Sequence, residues 1–147
     1  ELIKNIKNLS TGKVLSLYLL IREVAIALGL RLGGQTEFVR PLIEPMANGA
    51  AVSEYGELDE KVEEKIKAAS AAADNYGNFF AQNIFMANSG VLLIAGTLEE
   101  LGYQVDTLQI VQIAIPVAII ALVLGVIQNL HLDRTIRKTM AKKRGDK

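Results

Sequence analysis

The sequence predicts an all-α, polytopic integral membrane protein with a broken or re-entrant helix segment. Three observations predict it. Residues 108–130 run without a charged side chain. Elsewhere apolar and charged residues fall into separate blocks, apolar at 14–30 and 79–98, charged at 1–13, 54–67 and 133–147. Between the first two apolar blocks, Gly33–Gly34, Pro41 and Pro45 interrupt a stretch too polar for an ordinary span and too apolar for an ordinary loop. This segregation reconciles a mean hydropathy of +0.27 with a charged content of 22%. The 147 residues are read as one membrane domain. Because the chain begins at Glu1 without a signal-peptide pattern, an internal start is expected.

Residues 14–30 are long enough, though barely, to cross a bilayer. Arg22 and Glu23 lie near the middle, where charge is tolerated only against protein or water. Helical spacing puts Tyr18, Arg22, Ala25 and Gly29 on one stripe, expected to face other helices. Lys4, Lys7 and Lys13 place the start of the segment in the cytoplasm. Gly33–Gly34 is expected to end this helix. Thr36 is a candidate cap for a new one, which the two prolines interrupt, so residues 34–52 either cross as a broken helix or re-enter.

Residues 57–73 read as an amphipathic cytoplasmic helix with Leu58, Val62, Ile66 and Ala69 on one face. Glu57/Lys61 and Glu63/Lys67 form i,i+4 pairs in the favourable order. Residues 79–98 are a second candidate span, polar in the first half, with Gly90 and Gly96 suited to close helix approach. Residues 108–130 form the strongest span: at about 1.5 Å per residue they cover the roughly 30 Å hydrocarbon layer, and Pro116 is tolerable in such a helix. The 99–107 loop carries Glu99, Glu100 and Asp106 but no Lys or Arg, whereas 131–147 reads as a basic tail. The positive-inside rule therefore puts the C-terminus in the cytoplasm and that loop outside.

Composition excludes several functions. Zero net charge removes any bulk attraction to nucleic acid, and the absence of Cys removes disulfides, thiolate metal sites and a Cys nucleophile. His131 alone cannot build a His-rich metal centre. No phosphate-binding loop, dinucleotide fingerprint or serine nucleophile elbow is present, so an enzyme is not expected.

Two polar clusters remain. The first is Gln35, Thr36, Arg40 and, past the prolines, Asn48. A helix starting near Thr36, with free backbone N–H groups and Arg40 beside it, suits a carboxylate. The alternative is a structural turn in which Arg40 pairs with Glu37 or Glu44. The second is Asp74 and Asn75, followed by Asn88 and Ser89. An Asp–Asn pair at a helix break, with Gly77 supplying special backbone angles, suits a polar substrate or a coupling cation. The alternative is helix capping by Asp74 and Asn75 with interhelical hydrogen bonds from Asn88 and Ser89. No cofactor is expected, and a coupling cation or proton is left open.

The strings LGGQTEFVRPLIEPMANGAA (32–51), AAADNYGNFF (71–80) and IFMANSGVLL (84–93) resemble the bacterial family known as domain of unknown function 969. LYLLIRE (17–23) and the Leu-Asp-Arg of 132–134 fit the same pattern, so the resemblance spans nearly the whole chain. It implies one subunit of an inner-membrane secondary-type carrier for 5-oxoproline (pyroglutamate), working with a companion membrane subunit of the unknown-function 979 type. It also implies further hydrophobic segments upstream. In the family pattern acidic residues follow the paired phenylalanines; here Gln82 and Asn83 stand there, so no coupling acid is carried over to those positions. A scaffold that recruits a cytosolic partner through 57–73 and the basic tail is the rival expectation.

Overall fold

The computed structural model describes residues 9–30 and 32–145. Lys4, Lys7 and Lys147, which entered the orientation argument, lie outside the described residues. The chain is all-α: α1 (Thr11–Ala27), a π-helical segment (Gln35–Ile43) running directly into α2 (Glu44–Tyr55), then α3 (Glu60–Gln82), α4 (Ser89–Glu100) and α5 (Thr107–Gly145). Among the described residues one helix, α5, is long and apolar enough to cross a membrane.

α1 packs against both α3 and α5, which also meet each other. On the predicted stripe Tyr18, Arg22 and Ala25 are buried, while Leu17, Leu20, Ile21 and Val24 are exposed. Gly29 departs from the expectation. It stands past the helix end at φ 77°, with Leu30 N–H donating to the Ala25 carbonyl and Gly29 N–H to that of Ile26. This left-handed stop ends α1 four residues before Gly33, because glycine takes positive φ without a Cβ penalty. Phe85 also packs where a Gly29 side chain would begin, 2.9 Å from the Cβ position.

The π-helical segment and α2 run back antiparallel to α1. Three contacts trace the descent: Gln35 Nε2 to Asn75 Oδ1 (3.3 Å), Phe38 stacked on Tyr18 with ring centroids 6.0 Å apart, and Thr11 Oγ1 to the Ala47 carbonyl (3.0 Å). Pro41 has no N–H to give, and the widened π turns fall on this interruption. Pro45 sits in the first turn of α2, where the missing donor costs little.

α3 differs from its expected form at both ends. Asp59 caps it, accepting from Lys61 N–H at 2.9 Å, so Glu57 precedes the helix and cannot form an i,i+4 pair with Lys61. Lys67 pairs with Glu64 rather than Glu63. At the other end the helix continues unbroken through Asp74–Asn78 to Gln82. The break comes at residues 83–88, so the 79–98 stretch is divided between α3 and α4 rather than forming one helix. Asn88 starts α4 by accepting from Gly90 N–H at 2.8 Å. α4 ends on Gly102 at φ 87°, in the same manner as α1.

α5 has 39 residues. At about 1.5 Å per residue it extends nearly twice the hydrocarbon thickness. Residues 131–145 are therefore helix, not a loose basic tail. Leu132, Ile136 and Met140 recur every fourth residue and pack with Leu15, Leu58, Val62 and Ile66 in the core, leaving Arg134, Arg137, Lys138 and Lys142 outward. At the end of α2, the Tyr55 phenol is pushed up to about 12 by burial and by its hydrogen bond to Glu54, so it remains a neutral donor.

The entry to α1 is capped from a distance. Ser10 occupies the cap position but makes no cap bond; its hydroxyl donates to Asp133 Oδ2 at 2.6 Å. Gly12 N–H donates to Asp133 Oδ1 at 2.7 Å. A carboxylate at a helix N-terminus satisfies orphan donors and meets the positive end of the helix dipole. Asp133→Ala is expected to cost about 2 kcal/mol, read as a lowered thermal unfolding midpoint in detergent, with α-helix content retained.

Candidate functional site

Arg22 needs an acid, because a cation in an apolar segment is tolerated only when paired or solvated. Asp74 supplies it. Both residues are 4% exposed. Arg22 Nε lies 3.1 Å from Asp74 Oδ1, but its N–H is not aimed at that oxygen. Asp74 Oδ1 instead accepts the Tyr18 hydroxyl at 2.6 Å. Gly77, one turn beyond Asp74, makes the approach feasible: a Cβ there would lie 2.9 Å from Arg22 Cγ. Its role is thus closeness, not the special backbone angles expected for a helix break.

The guanidinium also organises the chain that follows α1. Arg22 Nη1 donates to the Leu32 carbonyl at 2.8 Å and to the Gly33 carbonyl at 3.0 Å. Both N–H groups of that nitrogen are thereby used. Nη2 has no partner among the described residues.

Arg22 forms part of the wall of a half-open cavity of about 480 Å³ between α1, the 28–34 connection and the break separating α3 from α4. Asn78, Gln82, Asn88 and Ser89 supply the remaining polar side chains, and Ile26, Leu30, Leu32 and Phe85 the apolar surface. The size falls within the roughly 300–1,000 Å³ of small-molecule sites. Its wall includes the N-terminus of α4, whose first N–H groups carry a partial positive charge. Arrangements of this kind, a guanidinium and a half-helix start among neutral amides, suit a small polar anion.

The residues expected from the sequence fall into three places. Asn88 and Ser89 line the cavity, and Asp74 lies behind it against Arg22. Gln35 and Asn75 hydrogen-bond to each other on the neighbouring face, with Gln35 Nε2 also reaching the Ala71 carbonyl at 3.4 Å. Thr36 and Arg40 are exposed on the π-helical segment, away from the cavity. Among the described residues Arg40 forms no ion pair with Glu37 or Glu44. The start of that segment is partly filled by its own acid, since Glu37 Oε2 lies 2.9 Å from the Cβ position of Gly33. Asn48, on α2, has a buried Oδ1 without a hydrogen-bond partner.

Asp74 and Asn75 cap nothing, being in mid-helix, and the main-chain oxygens of residues 74–78 are not exposed by a break there. Among the described residues no group of three or more His, Asp or Glu side chains is placed to hold a metal ion. Helical spacing puts Tyr18 and Arg22 on a protein-facing stripe but does not mark them as part of the site. One signal was available: Asp74 is the single acid between residues 65 and 98, and so the natural partner for an arginine inside an apolar helix.

These features define a membrane-associated, largely helical protein with a polar cavity at a helix break. The chain belongs to the family described as protein of unknown function (DUF969), which matches residues 1–137. Comparison with curated proteins and with solved structures found no match.

Proposed function

We propose that this chain is a subunit of a bacterial inner-membrane secondary-type carrier for a small carboxylate, 5-oxoproline in particular. The observation that carries the proposal is the cavity at the α3–α4 break, with Arg22, the α4 N-terminus and the amides of Asn78, Gln82 and Asn88 in its wall. A lactam acid presents a carboxylate together with one amide N–H and one C=O. A guanidinium matches the first and neutral side-chain amides match the second. The resemblance noted for 40–51, 71–80 and 84–93 points to the same substrate.

In this reading the molecule is polytopic. α1 rises through the bilayer, the π-helical segment and α2 return, α3 and α4 together make a third, broken crossing, and α5 descends. The exposed apolar side chains support it: Leu17, Leu20, Ile21 and Val24 on α1, Leu92, Leu93 and Ile94 on α4, and Ile113, Ile119, Ile120 and Leu124 on α5. Such surfaces suit lipid or a membrane partner rather than water. Arg134–Lys143 at one end of α5 and Glu99, Glu100 and Asp106 beside the other support a cytoplasmic C-terminus.

The reading includes the companion subunit of the unknown-function 979 type that the resemblance implies, and a different feature supports a partner of some kind. Thr36, Glu37 and Arg40 are exposed at about the depth of Tyr18 and Asn75. Charged side chains at that depth require protein or water beside them. A partner covering the π-helical segment would supply it.

Uptake of labelled 5-oxoproline by cells expressing the full-length protein, with and without its companion, tests the proposal. Saturable uptake requiring both subunits is expected. Asn88→Ala, which removes a cavity amide and the α4 cap, should reduce it by about tenfold. Arg40→Ala should leave the substrate KM unchanged, because Arg40 lies outside the cavity. Absence of 5-oxoproline uptake in every combination would overturn the substrate assignment.

A further inference from the structure

From the groove between α3 and α5 we infer a site for one anionic phospholipid, with an acyl chain in the groove and the phosphate among lysines at its cytoplasmic end. The inference needs α5 to cross the membrane, as in the reading above, but not the carrier activity. The groove shares no wall residue with the cavity at the α3–α4 break.

The two helices run antiparallel, as three levels show. The Tyr76 ring lies 3.9 Å from the Cβ position of Gly125, Val62 and Ile66 share the core with Ile136 and Met140, and Lys61 and Lys65 share a hollow with Thr139. At the first level the helices leave an open-sided groove of about 410 Å³. Tyr76 and Phe80 wall it on α3, and Val117, Ile120 and Leu124 on α5, with Gln128 at one end.

The dimensions suit one acyl chain. From Val117 to Gln128 the helix rises about 16 Å, close to the roughly 15 Å of hydrocarbon in one leaflet. A helix in the same place, about 10 Å across, would take up roughly three times the volume of the groove. A partner helix would therefore ride on the rim, whereas a single chain sits inside.

Charge decides the headgroup. At helical spacing, Lys138 and Lys142 continue the stripe of Leu124 and Gln128 toward the cytoplasmic end, and Lys65 and Lys61 continue that of Tyr76. Between Tyr76 and Lys65 the α3 stripe holds only Ala72 and Ala69, so no bulky α3 side chain separates groove from lysines. All four lysines are exposed, and among the described residues none forms an ion pair. Of the acids beside them, Glu64 is taken by Lys67, and Glu60 stands in the first turn of α3, where the helix dipole favours it. A phosphodiester supplies the missing negative charge at the membrane surface. A zwitterionic headgroup brings its own cation and answers the lysines less well.

The test uses the full-length protein in neutral detergent, with phosphatidylglycerol as the probe and phosphatidylcholine as the comparator. Retained lipid is counted by native mass spectrometry. One phosphatidylglycerol per chain should be retained at concentrations where phosphatidylcholine is not. Lys65→Gln and Lys138→Gln should each weaken retention by about fivefold. Lys67→Gln, turned away from the groove by helical spacing, should not change it. Ala121→Trp, which fills the groove, should abolish retention.

Equal retention of the two lipids, or equal losses from Lys65→Gln and Lys67→Gln, would overturn the phosphate assignment. Retention that survives Ala121→Trp would overturn the groove as the seat. A dimer abolished by Ala121→Trp, with no lipid retained, would give the groove to a second copy instead. Should Ala121→Trp not fold, the exposed lysine variants decide. None of these results touches the carrier reading, which uptake tests. Release of the protein from membranes by alkaline wash without detergent would take α5 out of the bilayer, and the lipid site with it.

Discussion

Arg22→Ala is expected to destabilise the bundle by about 3–5 kcal/mol, because it strands the Asp74 carboxylate in a buried site without its cation. It also releases the 28–34 connection, which Arg22 Nη1 holds through two carbonyls. The cavity wall should loosen with it. Thermal unfolding in detergent measures the first effect and accessibility of a cysteine introduced at Leu32 the second. A paired substitution separates charge from packing. Arg22→Met with Asp74→Leu removes both ions and should regain most of the lost stability. If the proposed carrier function holds, it should not regain uptake of a carboxylate, because the guanidinium is gone. Full transport by the paired variant would take Arg22 out of the proposed binding role and leave it a structural ion.

Gly12→Ala is the second large effect, and it is steric. A Cβ at Gly12 would collide with the backbone carbonyl of Asn129 in α5 and would also press on the Asp133 carboxylate, 2.7 Å away. A side chain could turn aside; a helix backbone cannot. α1 and α5 must separate, which breaks the Gly12 N–H bond to Asp133 and opens the neighbouring contact of Leu19 against Gly125. Overpacking of this kind costs about 1–3 kcal/mol, and the lost cap adds to it. Gly12→Ala is therefore expected to lower the unfolding midpoint more than Asp133→Ala. Gly49→Ala, where nothing lies within 4 Å of the Cβ position, should be close to neutral. Equal effects at Gly12 and Gly49 would show that α1 and α5 do not meet this closely.

Much of the fold is legible in local sequence because helices close their own hydrogen bonds and need no distant partner. The charge-free run of α5, the inward stripe of Tyr18, Arg22 and Ala25, and the apolar face Leu58–Val62–Ile66 all follow from composition and a period of 3.6. Boundaries were harder to read. Gly29, not Gly33, ends α1, because whichever glycine first reaches the left-handed position stops the helix. The polar run Asp74–Asn78 looks like a break, yet it lies within α3, because burial against α1 gives Asp74 and Gly77 partners there. The capping alternative assigns caps to Asp74 and Asn75 and interhelical bonding to Asn88; Asn88 caps α4 instead, because α3 ends shortly before it, at Gln82.

The candidate site divides in the same way. The residue types were visible in the sequence, as an arginine and an acid out of place among apolar neighbours and a set of amides near residues 75–89. Arg40 drew notice as the cation beside a helix start, but local spacing cannot say which of two arginines faces a cavity and which faces outward. Only the packing of α1 against α3, permitted by the absence of a side chain at Gly77, brings Arg22 to Asp74 and turns it toward Asn88 and Ser89. By itself, then, the sequence determined helical class, the length and apolar character that make α5 a candidate span, and the supply of polar groups, which are properties of single segments. The tertiary structure decided the partners, the cavity and the reach of Asp133 to the start of α1. Those depend on residues that are distant along the chain, and no local periodicity encodes such distances.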